Sequence, residues 1–250
     1  MMLQLIRHAT IKCKMNNQIF LVDPMLSPKG EMAPVGNAAN EYRNPLVNLP
    51  FPAENVLEDV DAILLTHSHR DHFDEKAVEM IPKDITIFCQ TEDSDKLISF
   101  AFSNVISIGD HGKWQGIQIV RTGGQHGTGD LGKQMGPVSG FILKAENEPT
   151  IYIAGDTIWC MEMEEAIAEH TPDIILVNGG EAQFLTGDPI TMGPRDMSQV
   201  SERGPFATIL VTHMEAWNHC LLSRQELQQY ILQNKLSNVK VLEDGEIFKY

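Results

Sequence analysis

The sequence predicts an α/β fold, and three observations carry that prediction. Short apolar, β-branched runs such as Ala62-Ile63-Leu64-Leu65, Ile117 to Thr122, Thr150 to Ala154 and Ala207 to Val211 have the length and composition of buried strands. Between them stand segments with helix-start signals, among them Asp74 ahead of Glu75 to Ile81 and the capping box of Ser223 with Glu226. The third observation is chemical: His67, Asp156 and His213 each lie two residues beyond such a run. Carboxyl ends of strands are where open α/β folds collect ligands.

Taken in order, Leu3 to Ala9 and Gln18 to Asp23 read as strands, with Asn16-Asn17 as a hairpin turn between them. His8 is either a structural histidine on that first strand or a strand-end group facing a site. Asp23-Pro24 ends the second strand, and Asp23 is either a turn initiator or a partner that orients a ligating imidazole. Met25 to Pro52 is proline-rich, with Asn37, Asn40, Asn44 and Asn48 and few periodic apolar residues. Structureless stretches beyond about 15 residues are usually lids, binding loops or linkers, so 25–52 is expected to be a lid over the site; a subunit contact or functionless flap is the alternative.

After Asp74 to Ile81, ended by Pro82, come a strand at Ile85 to Cys89, a helix capped by Thr91, and strands near Val105-Ile106 and at Ile117 to Thr122. His111, in Gly109-Asp110-His111-Gly112, is assigned to a solvent-exposed turn. Gly127 to Lys133 matches GxxxxGK, but Gln134 replaces the Ser or Thr that a phosphate loop needs and Gly136-Pro137 blocks the following helix, so nucleotide binding is rejected. Strands at Val138 to Lys144 and Thr150 to Ala154, a helix over Met161 to His170, a strand at Asp173 to Val177, a polar loop to Gly193 and a helix opening at Pro194 complete the prediction up to Ala207.

The organising stretch is Thr66-His67-Ser68-His69-Arg70-Asp71-His72-Phe73-Asp74. Three imidazoles and a carboxylate within His67 to His72 make a poor core, because each would need a partner if buried. Imidazole with carboxylate suits zinc, manganese or iron better than calcium or magnesium. His67 and His69 leave a strand end on one side, and Asp71 and His72 can reach a second position once the chain turns. The bland reading is a solvated loop capping a helix. His126 lies in Gly123-Gly124-Gln125-His126-Gly127, where glycines allow close backbone approach. Asp156 is either a carboxylate bridging two cations or the cap of the helix that follows. His219, on the rim with Glu215, Asn218 and Cys220, either contacts substrate or caps.

Composition excludes several classes. The net charge of −15 disfavours a phosphate-backbone partner, so no nucleic acid is expected. No apolar run approaches the ~20 residues that cross a bilayer, and the amino terminus lacks a basic leader with an apolar block; no membrane partner and a cytoplasmic location are expected. Cys13, Cys89, Cys160 and Cys220 form no CxxC pair and read as reduced thiols.

The order HxHxDH, lone His126, Asp156 after a strand and His213 after a strand resembles the signature of the metallo-β-lactamase-fold hydrolases over the whole chain. The resemblance implies one domain, 1–250, built as a four-layer αβ/βα sandwich with a dinuclear site on one sheet edge. It implies His67, His69 and His126 on one ion, Asp71, His72 and His213 on the other, and Asp156 between them, with zinc or manganese as the two divalent ions. Asp at 156 and the absence of a leader depart from the exported zinc β-lactamases, and His69 departs from the flavodiiron type, which has glutamate there. The compact length, Asp23-Pro24 and Asn178-Gly179-Gly180 look most like the ascorbate-6-phosphate lactonase group. The expected function is hydrolysis of a small ester, lactone or phosphoester, drawing an anionic or carbonyl substrate to the cations. Asp71 is expected to orient the attacking water or take its proton, and His219 to meet the oxyanion or leaving group. Asn178 and Asn44 are the candidate substrate-binding residues. A non-catalytic metal-binding protein and an iron-based oxidoreductase are the competing classes, and homo-oligomer formation is left open.

Overall fold

The computed structural model describes residues 1–250. Its strands make two seven-stranded sheets, each with three antiparallel pairings followed by three parallel ones. The first holds β1 (Met2–Arg7), β2 (Thr10–Met15), β3 (Gln18–Val22), β4 (Ala62–Leu65), β5 (Thr86–Gln90) and β6 (Asn104–Ile108) in sequence order. The second runs from β7 (His111–Trp114) through β8 (Ile117–Thr122), β9 (Gly140–Lys144), β10 (Ile151–Ile153), β11 (Ile174–Asn178) and β12 (Thr208–Thr212) to β13 (Val239–Val241). The last strand, β14 (Ile247–Lys249), returns to pair with β1 and closes the first sheet.

Side-chain alternation makes this a sandwich. Successive strand residues point to opposite faces, so Ala62 and Leu64 of β4 join Leu3, Phe20, Phe141 and Leu176 in a core between the sheets. Ile63 and Leu65 join Phe73, Ala77 and Leu97 beneath the helices of the first sheet, α2 (Glu75–Met80) and α3 (Ser94–Ser99). On the other side Ile175 and Val177 of β11 meet Met163, Val200 and Leu227 from α5 (Met161–His170), α6 (Pro194–Arg203) and α7 (Arg224–Gln233). Strands buried on both faces explain why their sequences are continuously apolar. The four-layer αβ/βα sandwich of the metallo-β-lactamase type is therefore the observed architecture.

Local chemistry accounts for the element ends. Asp74 caps α2 by accepting from the Ala77 amide at 2.8 Å, and Ser223 with Glu226 forms the predicted capping box of α7. Asn16 and Asn17 adopt positive φ in the two-residue turn that joins β2 to β3. Four readings need correction. The hairpin lies between β2 and β3, because Thr10–Met15 is a strand in its own right. His111 is exposed but opens β7 instead of sitting in a turn. Thr91 opens a short 3-10 turn that precedes α3, where Asp93 spends its carboxylate on Ser68 and Gln90 and caps nothing. No element is expected from the sequence at the strands β13 and β14 or the helices α1 (Ala53–Leu57) and α4 (Gly129–Met135), which are too short to show a period of their own. All four cysteines are free thiols and buried, and no helix is long and apolar enough to cross a membrane.

Residues 25–52 form no helix or strand beyond the isolated bridge Met32 to Asn44. The segment is nevertheless tied down. The Arg7 guanidinium donates to the carbonyls of Met25, Ser27 and Val47 at 2.9 to 3.0 Å, and Asp74 accepts from the Ser27 amide at 2.7 Å. In the middle Asn218 holds Val35, Asn40 and Asn44. Its Oδ1 accepts from the Val35 amide and Asn44 Nδ2 at 2.9 and 2.8 Å, and its Nδ2 donates to the carbonyls of Val35 and Asn40 at 3.2 and 3.0 Å. Truncating Asn218 leaves the buried Asn44 amide and the half-buried backbone groups of Val35 and Asn40 without a partner, at up to ~1–3 kcal/mol each. Asn218→Ala is therefore expected to lower unfolding stability by about 2–4 kcal/mol and to speed proteolytic cleavage within 25–52, as read by denaturant melts and limited proteolysis.

Candidate metal centre

The site forms where parallel strands of both sheets end. The turn after β4 supplies His67, His69, Asp71 and His72; the segment after β8 supplies His126; the turns after β10 and β12 supply Asp156 and His213. Gly155 makes the Asp156 turn possible: its φ is +68°, and a side chain there would meet the Ser139 carbonyl at 2.6 Å and Thr66 at 3.2 Å.

Three overlapping clusters result: His67, His69 and His126; His67, His72 and Asp156; and His8, Asp71, His72 and His213, with the ligand atoms in each within 4.8 Å of one another. Asp156 faces both sides. Its Oδ2 lies 3.2, 3.5 and 3.9 Å from Nε2 of His72, His126 and His67, and its Oδ1 lies 3.4 Å from Nε2 of His213. Asp71 Oδ2 lies 3.5 Å from His213 Nε2 and 3.9 Å from His72 Nε2. Ligands at about 2.0–2.1 Å around a tetrahedral ion are separated by roughly 3.3–3.4 Å, so these spacings are those of atoms sharing an ion.

The tautomers point the same way. His72 Nδ1 donates to Asp23 at 2.8 Å and His126 Nδ1 to the Ile190 carbonyl at 2.8 Å. Thr66 gives its hydroxyl proton to Asp23 at 2.7 Å, which leaves its oxygen to accept from His67 Nδ1 at 3.2 Å. His213 Nδ1 faces Cys220 Sγ at 3.5 Å. With Nδ1 engaged, Nε2 offers its lone pair inward, and Nε2 of His67, His72 and His213 is buried with no hydrogen-bond partner. A buried unsatisfied polar atom costs ~1–3 kcal/mol; three converging on two carboxylates fit a cation. The donor set of imidazole and carboxylate is one that first-row divalent metals take.

The electrostatics of these side chains reflect the same demand. Burial alone would make His72 harder to protonate, yet Asp156, Asp23 and Asp71 together push it up to about 10. Asp156 is held well below the usual carboxylate range, against its burial, by His213 and His72. Asp71 is likewise lowered against burial, by His72 and by hydrogen bonds to His213 and His8. His219 moves the other way, to about 4, because burial penalises its charged form.

The structure thus brings together His67, His69, Asp71, His72, His126, Asp156 and His213. Asp23 takes the second of its two readings, as the carboxylate that orients His72. His8, left undecided, lies in the site beside Asp71; its only sequence signal is its place just beyond β1. Two expectations change. Asn44 does not face the site: it is fully buried, and its amide is used on Asn218, whose backbone N–H it also accepts at 2.8 Å. Asn178 donates to Asp156 Oδ1 at 2.7 Å and accepts from Thr212 at 3.0 Å, so it orients a candidate ligand in place of meeting substrate. Over the cluster lies a cavity of about 200 Å³. His69, Asp71 and His126 form its floor, Val35, Met135, Phe184 and Trp217 its apolar walls, and Arg70 and His219 its remaining polar lining. Trp217 carries the Arg70 guanidinium 5.6 Å above its ring.

Removal of bound metal by a chelator is expected to lower the thermal midpoint by about 5–10 °C for each ion removed. That shift corresponds to ~2.7 kcal/mol of linkage per ion held at a hundredfold excess over its dissociation constant and ~2–4 °C per kcal/mol at this chain length. Zinc or manganese should restore the midpoint, as followed by calorimetry.

Comparison with known proteins agrees with this geometry. A family model described as the β-lactamase superfamily domain matches residues 18–214. The UPF0173 protein YddR of Bacillus subtilis (strain 168) is 42% identical over 98% of each chain. The crystal structure of a possible metal-dependent hydrolase from Veillonella parvula DSM 2008 superposes with a TM-score of 0.96 at 36% identity, covering 99% of this chain and 98% of that one. The isothiocyanate hydrolase from Delia radicum gut bacteria superposes with a TM-score of 0.95 at 37% identity, covering 100% and 99%. Its strand order, its cluster of imidazoles and carboxylates and these matches agree: the chain belongs to the β-lactamase superfamily, within the UPF0173 family.

Proposed function

We propose that this chain is a hydrolase dependent on two divalent ions, zinc or manganese, acting on a small electrophile with a compact apolar substituent. The observation that carries the reading is the convergence of partnerless Nε2 nitrogens and two carboxylates beneath a small cavity with four apolar side chains in its walls. His67, His69 and His126 would hold one ion, Asp71, His72 and His213 the other, and Asp156 both. When bound, such ions acidify water toward neutral pH and polarise the electrophile's oxygen.

The chain's own residues supply the rest. Asp71 is ionised and lines the cavity, so its carboxylate can accept a proton from the attacking water and orient it. His219 is neutral near pH 7, and its Nδ1 has no hydrogen-bond partner. Its imidazole lines the cavity and can donate to the oxygen or leaving atom on which charge develops. Val35, Met135, Phe184 and Trp217 bind the substituent and exclude water.

The cavity also bears on substrate class. At about 200 Å³ it is smaller than the ~300–1,000 Å³ of sites for drug-sized ligands, and its one cationic side chain, Arg70, lies over Trp217. These features favour a carboxylic ester or a lactone over a phosphoester, and make a phosphorylated lactone of the ascorbate-6-phosphate kind the less favoured member. The 37% identity to an isothiocyanate hydrolase adds isothiocyanates, which also present a neutral electrophilic carbon.

A panel of carboxylic ester, lactone, phosphodiester and aryl isothiocyanate, offered to the metal-loaded protein, tests the reading. Turnover is expected for at least one of the neutral classes, and a metal-loaded protein inert to all four would support the non-catalytic alternative. For the substrate found, Asp71→Ala should reduce kcat/KM by about 10²–10⁴, and undiminished turnover would remove its role. His219→Ala should reduce kcat by about 10²–10³, with a smaller change in KM.

A further inference from the structure

His8 makes three contacts with the second half of the cluster. Its Nε2 is 3.4 Å from Asp71 Oδ2. Its ring lies over that of His213, with centroids 3.6 Å apart and planes 34° apart. Its carbonyl accepts the His213 backbone N–H at 2.9 Å. The residue is fully buried, and both His8 and His213 occupy the left-handed region, with φ of +61° and +63°. Non-glycine residues persist there when surrounding structure holds them, and such positions cluster at functional sites.

These contacts separate two roles. Two imidazoles on one ion aim in-plane lone pairs at a common point, so their rings splay apart. Tilted rings with centroids only 3.6 Å apart do not meet that condition, which argues against His8 and His213 as joint ligands. A hydrogen-bond donor to Asp71 that also backs the His213 ring satisfies all three contacts. The 3.4 Å separation is long for a hydrogen bond, but such contacts commonly tighten once the site is loaded.

We propose that His8 is the positioning residue of the second ion: its Nε2–H donates to Asp71, and its ring and carbonyl set the orientation of His213. It plays for Asp71 and His213 the part that Asp23 plays for His72. The inference rests on the two-ion reading above, and it separates the ions. The first, held by His67, His69 and His126, has no contact with His8 in this arrangement.

The test is a competitive chelator titration of cobalt(II) and zinc into wild type, His8→Ala and His8→Gln, resolving the two dissociation constants. The cobalt absorption spectrum serves as a second readout. Wild type is expected to bind two ions. His8→Ala should weaken the second by about 10–100-fold and leave the first within twofold, and His8→Gln, which restores a side-chain N–H donor of similar reach, should recover most of the loss. Equal weakening of both ions in His8→Ala marks a general packing defect and overturns the proposal, as does wild-type affinity at both sites. Loss of the second ion in both variants overturns the donor role in favour of direct ligation. Wild type that binds fewer than two ions overturns the two-ion reading itself.

Discussion

Three carboxylates, Asp23, Asp71 and Asp156, are buried within one polar cluster, beside imidazole nitrogens that face no protein partner. In a low-dielectric interior, like charges at this range repel strongly and unpaired polar atoms are costly. Most of the nearby structure serves to hold that arrangement. Thr66, Asp23, the Ile190 carbonyl and Cys220 each occupy an imidazole Nδ1, which turns every Nε2 toward the same small volume. The arrangement is expensive without cations and coherent with them. For this reason the cluster reads as a metal centre and not as a polar core.

The two sheets divide the labour. Both run from three antiparallel pairings into three parallel ones, and parallel strands place their carboxyl ends on the same edge. From the first sheet, one turn after β4 delivers four candidate ligands in sequence. The second sheet delivers Asp156 and His213, while Asn178 at the end of β11 fixes the rotamer of Asp156. Neither sheet alone encloses an ion. Continuous apolar packing between them, from Leu3 and Phe20 across to Phe141 and Leu176, keeps the two sets of ligands in register.

Residues 25–52 are fastened to the rest of the fold, and Val35 of this segment lines the cavity over the site. Arg7 binds its two ends, at Met25, Ser27 and Val47, and Asn218 its middle, and Asn218 immediately precedes His219. The same loop that positions a candidate proton donor thereby positions this segment, so the wall at Val35 and the polar group at His219 are set together.

How much of this was legible in advance depended on whether the determining interaction is local. Strand and helix placement followed from apolar runs and caps. His67, His69, Asp71 and His72 were readable because six consecutive residues carry their own metal chemistry; His126, Asp156 and His213 were readable because each follows a strand in an order resembling a known family. Asp23 and His8 stayed ambiguous, since a polar residue at a turn has the same signature whether it faces solvent or a ligand. Asn44 was misplaced because its partner, Asn218, lies 174 residues away. Residue type and spacing by themselves determined which side chains could bind metal and on which strand ends they stand. Only the tertiary structure decided which nitrogen each imidazole presents, which carboxylate lies between the two groups of imidazoles and which amide is spent on packing, because those choices are contacts between segments that meet only after the two sheets close on each other.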